Sequence, residues 1–271
     1  MELKTYRHLR GVTEPNEIFF PRTKQEGHAG VEGNLPEGGA EETSLRELLE
    51  EHGLEYIAKI STTGDKVADH ISSFKAQLSR ALKMKPVLIN CHGGRDSWSF
   101  WEAVEFYRAV MDVETEHGVH IAHETHRGRV FYNPWITRDL LHEIPGIGLC
   151  CDFSHWVCVT ERLLEDCEAL IQIAARHCVH IHARVGYEEG PQVPDPRAPE
   201  YSAHVQAHEA WWDIVWKAQE EKGLPYTTLT PDFAPPPYLQ TEPFSERPIA
   251  NLDDICRWQA DRQRRRFAAR T

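Results

Sequence analysis

"GIGLCCDFSHW" (residues 146–156) begins as a buried strand and ends on a carboxylate. In an extended chain Ile147, Leu149 and Cys151 share one face and Gly148, Cys150 and Asp152 the other, because successive side chains alternate. Next comes "ERLLEDCEALIQIAARH" (161–177), with apolar residues at helical spacing, and then "VHIHARVGY" (179–187), extended again. Strand, crossing helix and second strand form the unit from which parallel sheets are built.

The same alternation runs outward in both directions. "LKTYRHLRGV" (3–12) precedes helical "NEIFFPRTKQEG" (16–27), and "HAGVEGNLP" (28–36) precedes "TSLRELLEEHG" (43–53). In the latter, Ser44 and Glu47 have the spacing of a capping box, and Gly53 stands where a helix would end. "LEYIAKISTT" (54–63) is followed by "DKVADHISSFKAQLSRALKMK" (65–85), and "PVLINCHGG" (86–94) by "SFWEAVEFYRAVMDVETEHG" (99–118). "VHIAHETHRG" (119–128) leads into "NPWITRDLLHEI" (133–144), with Asn133 as cap and Pro134 in the first turn. After 187 come "HVQAHEAWWDIVWKAQEEKG" (204–223), "PYTTLTPDF" (225–233) and "NLDDICRWQADRQRRRFAAR" (251–270). Eight β-then-α units in 271 residues predict a single (β/α)8 barrel domain over 1–271. A doubly wound open sheet is the alternative, but no glycine-rich nucleotide fingerprint accompanies it.

Bulk properties narrow the function. A formal net charge of −12 weighs against nucleic-acid and anionic-membrane surfaces, which need positive charge. The N-terminal "MELKTYRHLRGVTEP" has no apolar signal core. The seven cysteines sit mostly in apolar runs and form no C-x-x-C pair, the pattern of core thiols in a reducing, cytoplasmic compartment. Two proline-rich loops, 186–203 and 233–250, follow the seventh and eighth strands on the side where barrel active sites form. Trp211, Trp212 and Trp216 recur at helical spacing and read as packing. The arginine-rich tail reads as a solvated helix face.

The chemistry lies in the parity of the strands. One face of each is apolar and should meet the helices. The other grows polar toward the C-terminal end: Asn90 and His92, Glu124 and His126, Asp152, His182 and Arg184, Asp232. Burying one unpaired ionised group costs several kcal/mol even after the surroundings relax. Glu124, Asp152, His182 and Asp232 buried together therefore call for a compensating cation. Three carboxylates and one imidazole suit Mn²⁺, Mg²⁺ or Co²⁺ and accommodate Zn²⁺.

At these residues the chain resembles the xylose isomerase-like barrels, the sugar phosphate isomerase/epimerase group that includes ketose 3-epimerases and endonuclease IV. In the ketose 3-epimerases one divalent metal, for which Mn²⁺ is the leading expectation here, is held by Glu, Asp, His and Glu. Glu124, Asp152 and His182 match the first three, and Asp232 stands in the fourth place. The resemblance implies that Glu124 and Asp232 move the proton α to a carbonyl. It also implies that His155, three residues after Asp152, contacts substrate. The family's arginine six residues after the His ligand is absent here, where Glu188 stands, and Arg184 is the expected replacement. His92 is a further pocket-lining candidate, with Glu32 a similar case. His126 is a candidate orienter. Arg127 and Arg129 are candidate clamps for a phosphate or carboxylate, though a solvated loop is favoured for them.

The leading expectation is a metal-dependent sugar isomerase or epimerase acting through an enediolate on a small carbohydrate. A lyase on a keto-sugar or keto-glycoside, an endonuclease IV-like phosphodiesterase and a sugar-binding barrel without turnover are the alternatives. Pairing of two copies is implied by the resemblance alone.

Overall fold

The computed structural model describes residues 1–270. Eight parallel strands close into one barrel, each hydrogen-bonded to the next and the last to the first. They are β1 (Glu2–His8), β2 (Gly30–Asn34), β3 (Glu55–Ser61), β4 (Leu88–His92), β5 (Ala122–Glu124), β6 (Gly148–Cys151), β7 (Cys178–His182) and β8 (Tyr226–Thr230). The helices are α1 (Asn16–Gln25), α2 (Gly39–Glu51), α3 (Val67–Lys83), α4 (Phe100–His117), α5 (Pro134–Glu143), α6 (Phe153–Thr160), α7 (Glu168–His177), α8 (Ser202–Glu221) and α9 (Leu252–Ala268). The (β/α)8 expectation holds.

Strand parity divides the interior as expected. Ile89, Leu149, Ile181 and Leu229 point outward and are buried against helical side chains such as Phe74, Phe106, Trp156 and Trp212. Full burial of each such side chain contributes roughly 1.5–3 kcal/mol. The opposite face points down the barrel axis. His123, on the outward face, meets Glu114 of α4 at 2.9 Å instead of the axis.

Local signals fared unevenly. Asn133 caps α5, its Oδ1 accepting the N–H groups of Trp135 and Ile136 at 3.0 Å. Gly53 follows α2 at a φ of 57°. The Ser44–Glu47 capping box does not form, because α2 begins earlier, at Gly39. There Glu41 accepts the Glu37 N–H at 3.0 Å and stabilises the earlier turn. The helix expected over 161–177 begins only at Glu168, and a further helix, α6, occupies 153–160, where the sequence reads as the end of the strand segment. Asp152 caps α6 by accepting the Ser154 N–H at 3.1 Å, and the chain leaves that helix at Glu161, in the left-handed region.

Trp212 and Trp216 are fully buried under α8 and Trp211 nearly so. The arginine-rich α9 lies along α8. Arg262 makes a two-pronged contact with Glu209 at 2.6 and 2.8 Å, Arg266 meets Asp213 at 2.7 Å and Arg270 meets Glu220 at 3.0 Å. Much of the tail's charge is thus engaged in a helix seam. The two long loops are tied together: the Gln192 side-chain amide donates to Ala234 O at 3.1 Å and accepts its N–H at 2.8 Å. All seven cysteines are free. Among the described residues no helix is long and apolar enough to cross a membrane.

Candidate active site

At the C-terminal end of the barrel, one donor atom each from Glu124, Asp152, His182 and Asp232 lie within 4.8 Å of one another. All four side chains are buried. β5 delivers Glu124 on its last residue, β7 delivers His182 on its last, and Asp152 and Asp232 sit just past β6 and β8. One face of four strands thus converges on a point, as their parity requires.

The partners of these groups leave specific atoms open. His182 Nε2 donates to Glu32 Oε1 at 2.9 Å, which leaves Nδ1 unpartnered. Glu124 Oε2 accepts from Asn90 Nδ2 at 2.8 Å and from His92 Nε2 at 2.6 Å, while Oε1 has no partner. Lys59 Nζ stands 3.9 Å from Glu124 Oε2. Arg184 pairs with Asp152, lies 3.2 Å from Asp232 Oδ2 and donates to His155 Nε2 at 2.8 Å. His155 therefore carries its ring proton on Nδ1, which has no protein partner. His8 Nε2 lies 3.3 Å from Asp232 Oδ1.

Electrostatics follow from this packing. Burial raises the Asp152 carboxyl against the pull of Arg184. Burial opposes ionisation of Asp232 too, but His182, Arg184, His8 and Lys59 outweigh it and hold that carboxyl at about 2. Glu124 is likewise well below the carboxylate range, where His92, Lys59 and His182 overcome desolvation. His182 is pushed well above its usual range, because Cys150, Glu32, Glu124 and Asp232 outweigh the burial that lowers it. Burial lowers His92 to about 4, and burial with His126 and Arg184 keeps His155 neutral. Four buried carboxylates (Glu32, Glu124, Asp152, Asp232) face two buried fixed cations, Lys59 and Arg184. With His182 neutral, as a ligating imidazole must be, two negative charges are left uncompensated, and the imidazole and carboxylate donors fit one divalent ion in place of the proton that His182 otherwise holds. The Glu32–His182 contact is the usual brace behind a ligating imidazole.

The structure brings every expected site residue to this end of the barrel. His92 and His155 flank the cluster, with His126 stacked between them at ring distances of 4.4 and 3.9 Å. Arg184 is buried among the carboxylates, whereas Glu188 turns away to His204 at 2.9 Å. Arg129 braces neighbouring loops, its Nη1 donating to Thr62 O at 2.9 Å and Gly94 O at 3.2 Å. His8, Lys59, Ser154 and Tyr238 also belong to the site and lie outside the sequence expectation. Lys59 carries a usable signal, since it shares the inward face of β3 with buried Ile57. Two further donor groups meet within 4.8 Å: His92–Glu124–His126 and Cys150–His180–His182. In the second, His180 is already engaged by Glu32 at 3.2 Å and Thr228 at 2.8 Å.

A family model described as the xylose isomerase-like TIM barrel matches residues 20–218. No curated protein matches the chain in sequence. Among solved structures, a probable 3-DHS dehydratase of petrobactin synthesis from Bacillus anthracis superposes with a TM-score of 0.62 at 15% identity, covering 96% of this chain and 98% of that one. The 3-keto-D-glucoside 4-epimerase of E. coli gives 0.61 at 12% identity, with 97% and 99% covered. Endonuclease IV from Thermus thermophilus gives 0.59 at 12% identity, with 99% and 100% covered. At these identities the likeness is one of fold.

Proposed function

The chain belongs to the xylose isomerase-like TIM-barrel family, and from that premise we propose that it is a divalent-metal-dependent isomerase or epimerase of a sugar or related polyol ketone. The observation that carries the reading is the pair of unpartnered buried atoms, Glu124 Oε1 and His182 Nδ1, in a cluster whose carboxylates outnumber its fixed cations. Glu124, Asp152, His182 and Asp232 would hold the ion, with Mn²⁺ the leading candidate. Bound there, the ion would polarise a carbonyl and stabilise negative charge on its oxygen. Glu124, its other oxygen pinned by Asn90 and His92, takes the proton α to that carbonyl at Oε1. His155 offers its free Nδ1–H to a substrate oxygen, with Arg184 fixing the ring.

Asp232 decides the class of product. In epimerisation it returns a proton on the opposite face of the enediolate. Its proximity to Arg184 and His8 favours the ionised form, and it is one methylene shorter than the family's glutamate. If Asp232 only holds the ion, the proton returns from Glu124, or the enolate expels a β-leaving group. That second reading is isomerisation or elimination on a keto-sugar. The His92–Glu124–His126 group favours a third, a multi-metal phosphodiesterase, because it would hold a second ion.

The test is incubation of the Mn²⁺-supplemented protein with candidate ketoses and keto-glycosides in D₂O. Deuterium entering at the carbon beside the carbonyl, without loss of a leaving group and abolished in Glu124→Gln, is the expected result. An unsaturated product signals elimination. If no substrate exchanges while abasic DNA is cut, the proposal is wrong.

A further inference from the structure

Above the buried cluster sits Tyr238, from the loop after β8, with three arginines around its ring. The Arg184 guanidinium lies 4.9 Å from the ring centroid, Arg10 4.8 Å and Arg127 5.3 Å. Tyr238 is joined to the site on a second side, its hydroxyl 3.4 Å from His126 Nε2, and its ring is 6.5 Å from that of His155. Arg184 is paired with Asp152 and Asp232 through Nη2, and its buried Nη1 has no partner. Arg10 and Arg127 are exposed, and neither has a carboxylate partner among the described residues. In a chain with 42 acidic and 30 basic residues, two guanidiniums without a carboxylate at one mouth need a reason.

Their placement is built rather than incidental. The Arg10 N–H donates to His8 Nδ1 at 2.8 Å, and His8 itself faces Asp232. The next residue, Gly11, has a φ of 83°, and a Cβ there would lie 3.0 Å from Pro235 and 2.9 Å from Leu252. Only glycine lets the β1 loop approach the Tyr238 loop this closely. Arg127 follows directly on His126, whose Nδ1 bonds the Arg127 carbonyl. Stacking uses the face of a guanidinium and leaves its in-plane N–H donors free, in the fork that matches a carboxylate or phosphate.

We infer that the substrate carries an oxoanion, carboxylate or phosphate, gripped by Arg10 and Arg127 beside Tyr238 while its carbonyl end reaches the carboxylate–histidine cluster. This rests on the cluster being the reacting centre, as proposed above. Lys59 and Arg184 are consumed by the buried carboxylates, so the charge of a bound anion falls to the two exposed arginines.

The experiment is calorimetric titration of the chelator-treated full chain with inorganic phosphate and, separately, malonate, at constant ionic strength. Chelation removes anion binding to a bound cation. Saturable binding of at least one probe is expected, weakened at least about tenfold in Arg10→Gln/Arg127→Gln, whose exposed positions spare the fold. Preference for phosphate assigns a phosphomonoester substrate, and preference for malonate a carboxylate. Binding of neither probe, or equal binding to wild type and double variant, overturns the inference. Mn²⁺ titration of the same samples is a separate readout: loss of cation binding sinks the proposed function and leaves the anion result standing.

Discussion

Two regions of this barrel are dense in charge, and they are built on opposite plans. Along the α8–α9 seam, Glu209, Asp213 and Glu220 meet Arg262, Arg266 and Arg270, and Gln263 adds a further bond to Glu209 at 2.9 Å. At the mouth of the barrel the carboxylates outnumber the fixed cations, and Glu124 Oε1, His182 Nδ1 and His155 Nδ1 have no partner. The seam is closed by its own residues. The mouth keeps open donor atoms, as the proposed cation site requires. Paired charge marks architecture, and an excess of buried carboxylate with open donor atoms on one point calls for a cation.

The contrast breaks most sharply at Glu124. Glu124→Gln should reduce turnover of any substrate found by at least about 1,000-fold, as loss of a general base with its cation site, while the circular-dichroism spectrum stays that of wild type. Intact activity in that variant would move the chemistry elsewhere.

Arg184→Ala should cost about 3–5 kcal/mol of stability, because it leaves Asp152 buried without its cation. Urea melts should show that loss, and added Mn²⁺ should recover part of it. A variant as stable as wild type would mean that the cluster is not short of positive charge.

The same cluster was largely legible in the sequence. Alternation in "VHIAHETHRG", "GIGLCCDFSHW" and "VHIHARVGY" put Glu124, Asp152 and His182 on one face, since β parity is a strict rule and burial of charge is costly. What escaped has a physical reason in each case. His8 and Tyr238 are recruited by contacts with residues far away in the chain, Asp232 and His126, which no local pattern encodes. Lys59 looks like an ordinary exposed lysine until the inward face of β3 is recognised. The α2 start departs from the capping pattern because Glu41 caps the chain from within the helix. α6 is hidden because Asp152 serves both as a helix cap and as a cluster carboxylate.

His208 sharpens the comparison outside both regions. Its Nδ1–H donates to His204 O at 2.8 Å and its Nε2 accepts the Gly186 N–H at 3.2 Å, which fixes the neutral form and ties the β7 loop to α8. Burial lowers this imidazole to about 3. The folded state then resists a proton that the unfolded state accepts, so the contribution is intact above pH ~6.5 and is lost as pH falls toward 3, by about 1.4 kcal/mol per unit. Unfolding free energies measured from pH 7.5 to 4.5 should fall through this and the other buried neutral histidines together, and His208→Gln should reduce the slope by about one proton's share. A slope unchanged in the variant would assign the acid lability to other buried histidines.

The smallest effect belongs to the seam. Arg262→Ala removes one of several partners of Glu209 and should cost about 1–2 kcal/mol, a charge-assisted pair's contribution, with Mn²⁺ affinity unchanged. If the ion binds more weakly there, the two regions are coupled.

The central claim is that the barrel mouth is a site for one divalent cation. Electron paramagnetic resonance titration with Mn²⁺ on wild type, Asp152→Asn and Arg262→Ala tests it most directly. The account predicts one bound ion per chain in wild type and Arg262→Ala, and none in Asp152→Asn at the same concentrations. Absence of bound Mn²⁺ in wild type, or equal binding in Asp152→Asn, would contradict it.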